Sequence, residues 1–233
     1  MDNPEQLLRR APVPLTRLRQ LSSLVRPTAR IIGWGPPIWA AIPAAVYVGT
    51  EAPGAYIDYR VQVLRLGALL LCMGSAFILD DPTEDTIGHV PTPLLLRRGL
   101  RVLLILPVLA FAWTTLVMVA GRVPSRDGGP LPVADLTLEG ATLLVIALSA
   151  ACVGARLTSD RLGGVVAAPI VLGCVAVGML LPADHKLILT SVADPRWSHV
   201  HDLWKFGLMA SGAAFLLLNR SSGAAWTLLR LKP

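Results

Sequence analysis

Two runs of the chain, Leu100 to Ala120 and Val165 to Leu181, constrain its fold more than anything else in the sequence. The first holds a single charge, Arg101, and the second holds none. About 20 mainly apolar residues in an α-helix match the hydrocarbon thickness of a bilayer, and a helix apolar on every side is suited to a membrane or to the centre of a large protein. Four further runs qualify: Ile31 to Val48, starting either at Ile31 or only after Pro36 and Pro37, then Val63 to Leu79, Leu136 to Val153 and Leu203 to Leu218. Pro36, Pro37 and Pro43 are expected to kink or shorten the first of them. Glu139 and Lys205, near the starts of the fourth and sixth, are expected at an interface where long polar side chains reach water. Composition agrees, since 54% of residues are hydrophobic and 15% charged, with a mean hydropathy of +0.60, well away from the globular norm. The expected fold class is all-α: a polytopic membrane protein with about six transmembrane helices.

Basic residues orient such a bundle, because short loops rich in Lys and Arg stay in the cytoplasm. Arg9, Arg10, Arg17, Arg19, Arg26 and Arg30 precede the first run, Arg97, Arg98 and Arg101 join the second to the third, Arg156 and Arg161 join the fourth to the fifth, and Arg220, Arg230 and Lys232 end the chain. They are fourteen of the 21 basic residues, all on one side of a six-span path. The expectation is a multi-pass protein of the plasma membrane with both termini cytoplasmic. The same bias accounts for the net charge of +6, so no nucleic-acid partner is implied. Residues 1–30 lack the apolar core of a signal peptide. In "PLTRLRQLSSLVRPTARII", Leu15, Leu18, Leu21 or Ser22, and Val25 recur at three- and four-residue intervals beside arginines, the pattern of a helix lying in the headgroup plane, with a basic, poorly ordered tail as the alternative. The expected division is an amphipathic segment over 1–30, a six-helix domain over 31–218 and a cytoplasmic tail over 219–233.

The most polar stretch between spans is "FILDDPTEDTIGHVPTPLLLRRGLR", from Phe77 to Arg101. Asp81-Pro82-Thr83-Glu84 has the order of a helix start: an N-cap, a proline where no N–H is needed, and an acid able to reach back to the cap. A short helix from Pro82 to about His89 is therefore expected, ended by Gly88 or Pro91. Structural punctuation explains most of the stretch. Two functional readings compete with it. Clustered carboxylates hold Mg²⁺ together with substrate phosphate, and Asp81 and Asp85 share one helix face. That spacing resembles the first aspartate motif of UbiA-type membrane prenyltransferases, which implies a carboxylate-bound Mg²⁺ site; a later loop, "RLTSDRLGG", supplies only Asp160.

In outline the chain looks more like the permease subunit of a type-two ABC exporter. The likeness is carried by the basic amphipathic segment, six spans, both ends inside, and the "DDP…PTPLLLRR" stretch between spans two and three. It implies that this stretch is a coupling helix gripped by a separate ABC ATPase subunit through Asp80, Asp81, Glu84, Asp85 and Arg97. It further implies pairing with a second permease copy, the same or different, and ATP and Mg²⁺ bound by the partner, with no cofactor or catalytic residue on this chain. No G-x-x-x-x-G-K-[ST] occurs, so the phosphate cradle would have to come from that partner. The rival to a transporter or an enzyme is a non-catalytic membrane scaffold.

Other chemistry finds little footing. Cys72, Cys152 and Cys174 fall inside spans without paired spacing and are expected to pack as small apolar groups. No Ser sits in a G-x-S-x-G setting. After the fifth span, His185, His199 and His201 with Asp184, Asp194 and Asp202 match no familiar ligand spacing, and the alternative is a loop anchored at the interface by Trp197 and Trp204. No span carries a central carboxylate or histidine, which speaks against proton-coupled transport. Gly74, Ser75 and Ala76, and Gly164, Ala167, Ala168, Gly173 and Gly178, are expected to let helix backbones approach.

Overall fold

The computed structural model describes residues 28–30, 32–50, 55–80, 94–122, 125–158, 162–180, 182 and 190–220. Most of the expected interfacial helix and the tail after Arg220 lie outside the described residues. A helical turn at 28–30 ends where the Ile32 amide donates to the Thr28 carbonyl at 3.1 Å, and belongs to a unit separate from residues 33–233.

From Gly33 onward the chain is a helical bundle. Pro36 and Pro37 decide where it begins: proline is pre-set for the first helical turn, where its missing N–H costs nothing. Helix α1 accordingly spans Gly35–Gly49, the later of the two starts the sequence allows, with Pro43 inside it. Helix α2 spans Ile57–Ala76 and tightens into a 3₁₀ turn over Phe77–Leu79. Then come α3, Leu94–Gly121, α4, Val133–Leu157, α5, Gly163–Leu180, and α6, Trp197–Asn219. No strand occurs among the described residues. Four helical segments there are long and apolar enough to cross a membrane: Ile57–Leu79, Leu95–Gly121, Val133–Leu157 and Gly163–Leu180. Such a set, in a chain of this hydropathy, is that of a membrane-embedded helical protein. Helix α1 is short at 15 residues, and α6 carries Asp202, Lys205 and Asn219.

Close contacts set the helix directions. A Cβ on Gly74 would meet Ala40 Cβ at 2.6 Å and the Pro36 carbonyl oxygen at 2.8 Å, while one on Gly67 would lie 3.6 Å from Val48, so α1 and α2 are antiparallel. Late in α4, a Cβ on Gly154 would sit 2.7 Å from Val166 Cβ, early in α5. Small residues thus bring backbones together where the sequence placed Gly74 and Gly164, but Gly173 has nothing within 4 Å. Helix α2 is central, its most apolar window 72% buried. One core cluster joins it to α4 and α5 through Leu69, Cys72, Leu148, Cys152 and Val171, and another joins it to α1, α3 and α4 through Val48, Leu64, Leu116 and Leu136. Helix α3 is the least buried of the four membrane-length helices, its most apolar window 11% buried, and turns Leu103, Phe111 and Met118 outward.

Helices α4 and α6 run parallel in one constant register. Asp135 accepts from the Trp197 indole at 2.7 Å, and Glu139 meets His201 at 3.1 Å. Thr142 donates to the Trp204 carbonyl at 3.3 Å, Ser149 to the Ser211 carbonyl at 3.2 Å, and Arg156 to the Leu218 carbonyl. Each pair is 62 residues apart. Asp135, Thr142, Ser149 and Arg156 recur every seventh residue, the period of a seam between left-handed supercoiled helices.

Several expectations need correcting. Glu139 does not reach toward water: it is buried at 3% exposure between Arg65 and His201. Lys205 is exposed and pairs with Asp202 at 2.8 Å. Arg98 and Arg101, counted above among the charges that join the second run to the third, are buried helix residues, as are Arg60 and Arg65 on α2. Cys174 is exposed on α5, whereas Cys72 and Cys152 are buried as expected.

Candidate functional site

Residues 81–93, which carry most of the expected coupling surface, lie outside the described residues, and the segments that flank them are rooted in the bundle on both sides. Asp81, Glu84 and Asp85 lie outside the described residues. Asp80, where α2 ends, accepts the Gly164 amide on Oδ1 at 2.7 Å, and its backbone carbonyl accepts Arg101 Nη1 at 3.4 Å. Gly164 is at the start of α5, where unsatisfied amides and the helix dipole favour a carboxylate. Burial pushes the Asp80 carboxyl up from its ordinary value, against the opposite pull of the Gly164 and Gly163 amides and the Arg101 charge. A Cβ on Gly164 would fall 2.6 Å from the Phe77 ring, so glycine is what lets α5 begin against the 3₁₀ turn.

The other root is on α3. Arg97 is half-buried and Arg98 is buried. Arg98 Nη1 donates to Asn219 Oδ1 at 3.2 Å, and Asn219 Nδ2 donates to the Phe215 carbonyl at 2.7 Å and lies 3.3 Å from Cys152 Sγ. Of the residues that flank 81–93, Asp80 is therefore bonded to α5 and Arg98 to α6. Of the expected contact residues, the described pair differ: Asp80 is engaged inside the bundle, and Arg97 stands beside Arg98 at the base of α3.

The opposite end of the bundle holds a second polar group that sequence reasoning missed. Arg65 donates Nε to Glu139 Oε2 at 2.7 Å and Nη2 to Oε1 at 2.6 Å, the bidentate fork that suits guanidinium to carboxylate. Its Nη1 reaches the Thr190 carbonyl at 3.4 Å. Trp197 lies under the guanidinium at 5.5 Å and tilts against the His201 ring at 4.4 Å, so it belongs to this cluster rather than to a lipid-facing anchor. Asp58 ties down the preceding segment, accepting from Ser191 Oγ at 2.6 Å and the Val192 amide at 2.9 Å. Among the described residues no group of His, Cys, Asp and Glu is arranged to hold a metal ion. Asp194 is taken up by Arg196 at 2.8 Å, which holds its carboxyl below the ordinary value; Asp184 and His185 lie outside the described residues.

Between α2, α3 and α4 runs an apolar cleft of about 160 Å³, walled by Ala68, Leu71, Leu106, Leu109 and Leu144. The polar groups on its wall are already satisfied: Ser75 bonds the Leu71 carbonyl at 2.6 Å, Cys72 reaches the Gly140 carbonyl at 3.5 Å, and Trp113 donates to Thr137 at 2.9 Å. Compared with protein-family models, curated proteins and solved structures, the chain matches none.

Proposed function

We propose that this chain is the membrane-spanning permease subunit of a transporter resembling the type-two ABC exporters, with six spans, both termini cytoplasmic and its energy supplied by a separate ATPase subunit. The observation that carries the reading is the double rooting of the segments that flank 81–93. A push on that stretch from a partner reaches α5 through Asp80 and Gly164, and α3 and α6 through Arg98 and Asn219. Two-state movement of a bundle arises when a partner contacts its two arrangements differently. The cleft beside α3 is where such a bundle would open, because α3 is the least buried of the long apolar helices. The four membrane-length helices support the embedded part of this reading; in the proposal α1 and α6 would be the remaining two spans. A second permease copy, identical or not, would complete the pathway.

The test is to purify the chain in mild detergent from its native host and identify by mass spectrometry what remains bound, beside a variant carrying Asp81→Ala and Glu84→Ala. Copurification of a P-loop ATPase that the variant loses supports the proposal. A chain that emerges alone in both preparations refutes it, and Asp81 and Asp85 would then be assayed for Mg²⁺-dependent transfer.

A further inference from the structure

Each ring nitrogen of His201 faces an oxygen that has no proton to give. Nδ1 lies 2.7 Å from the Trp197 carbonyl oxygen, and Nε2 lies 3.1 Å from Glu139 Oε1. A carbonyl only accepts. The Glu139 carboxyl takes one Arg65 N–H on each oxygen, the fork of a guanidinium on a carboxylate, whose oxygens only accept as well. A neutral imidazole donates at one nitrogen and presents a lone pair at the other. Either tautomer would then set a lone pair against an oxygen, in a site where His201 and Glu139 are each 3% exposed and water cannot relieve the mismatch.

We propose that the Arg65–Glu139–His201 cluster is a buried proton-binding site, in which His201 carries a proton on both ring nitrogens and the one on Nε2 closes α6 onto α4. The groups around it decide how firmly that proton is held. From α2 comes Arg65, a cation that disfavours a second positive charge; from α4 come Glu139, in direct contact, and Asp135, which accepts the Trp197 indole at 2.7 Å. On α6 itself, Asp202 and Lys205 pair with each other at 2.8 Å and His199 is exposed. The 190–196 segment offers the Thr190 carbonyl to Arg65 and the closed Asp194–Arg196 pair. The α6 dipole also disfavours a cation this close to its start. Burial disfavours the cation most, with Arg65 and that dipole adding to it; against them stand two hydrogen bonds from the ring, one of them to a full carboxylate charge.

The site works as a joint between elements distant in sequence. Loss of the Nε2 proton turns an attraction between α4 and α6 into a repulsion, so the closed end is held at neutral and acid pH and loosens as pH rises. This inference stands apart from the transporter proposal, because it concerns only how the three helices α2, α4 and α6 are held. In the orientation proposed above, the cluster would lie at the outer face.

The test uses the full chain in lipid nanodiscs, labelled with ¹⁵N-histidine and carrying His89→Gln, His185→Gln and His199→Gln, which leaves His201 as the sole histidine of the four. Ring ¹⁵N shifts are followed from pH 5 to 9. Both nitrogens should be protonated at pH 7.5, where a free imidazole of ordinary pKa ~6.5 is about nine-tenths neutral. Adding Glu139→Gln should return the titration towards that of free imidazole. An unprotonated Nδ1 or Nε2 at pH 7.5 overturns the proposal, as does a titration that Glu139→Gln leaves unchanged. The first measurement needs only the intact cluster, so it decides the matter even if Glu139→Gln does not fold.

Discussion

Replacing Glu139 by leucine should be the most damaging single change at the Arg65 cluster. The carboxylate is 4% exposed and stands between two cations, Arg65 at 2.6 Å and His201 at 3.1 Å. Removing one partner of a buried ion pair leaves an uncompensated charge and costs about 3–5 kcal/mol. At about 2–4 °C per kcal/mol for a chain of this size, the loss in thermal midpoint is about 6–20 °C. Arg65→Met should cost less, about 1–3 kcal/mol, because Glu139 keeps the His201 proton as its partner. The pair Arg65→Met with Glu139→Leu should come back close to the wild-type midpoint, since neither change then strands a charge; His201, relieved of its carboxylate, sheds the Nε2 proton and keeps its Nδ1–H on the Trp197 carbonyl. Heat-induced loss of monodispersity in mild detergent reads all four proteins on one scale. The reasoning fails if Glu139→Leu proves no worse than Arg65→Met, or if the double variant is as unstable as Glu139→Leu alone.

Two further outcomes are expected in the same assay. Gly74→Ala places a methyl 2.6 Å from Ala40 Cβ and 2.8 Å from a backbone oxygen, an overpacking that should cost about 1–3 kcal/mol, whereas Gly173→Ala, with open space around it, should be neutral. Asp80, whose carboxyl burial pushes up, holds a proton more tightly folded than unfolded, so ionising it works against the folded state as pH rises through the raised value. Asp80→Asn keeps an oxygen for the Gly164 amide without the charge; it should match or exceed the wild-type midpoint at neutral pH and lose that advantage in acid, while Asp80→Ala, which loses the bond, should fall by about 1 kcal/mol at both.

The helices were legible because their signal is local. Runs of apolar residues locate each one, and Pro36 and Pro37 locate the start of the first. Boundaries ran longer in space than in the apolar count, since polar ends such as Asp58 to Val61 and Trp197 to Asp202 continue the helix while bonding to neighbours. What the sequence hides is pairing at a distance. Arg65 and Glu139 are 74 residues apart and Glu139 and His201 are 62 apart, so each reads alone as a polar residue near a span end. A signal was present in α4, where Asp135, Glu139, Thr142, Ser149 and Arg156 make a polar stripe with a seven-residue beat along an otherwise apolar helix. Lipid has nothing to offer such a stripe, so it points to a neighbouring helix. Which helix answers it cannot be read from α6, whose side of the seam is partly backbone carbonyl: Trp204, Ser211 and Leu218 all contribute main-chain oxygen.

That seam makes the bundle tolerant of length and intolerant of phase. The interval of 62 is counted through α5 and the two connections beside it, and no rung depends on how many residues those connections contain. Residues added between α4 and α5, or between α5 and α6, change the interval and leave every rung facing its partner. One residue inserted within α4 turns everything after it by about 100° around the helix axis, and all rungs beyond the insertion are lost together.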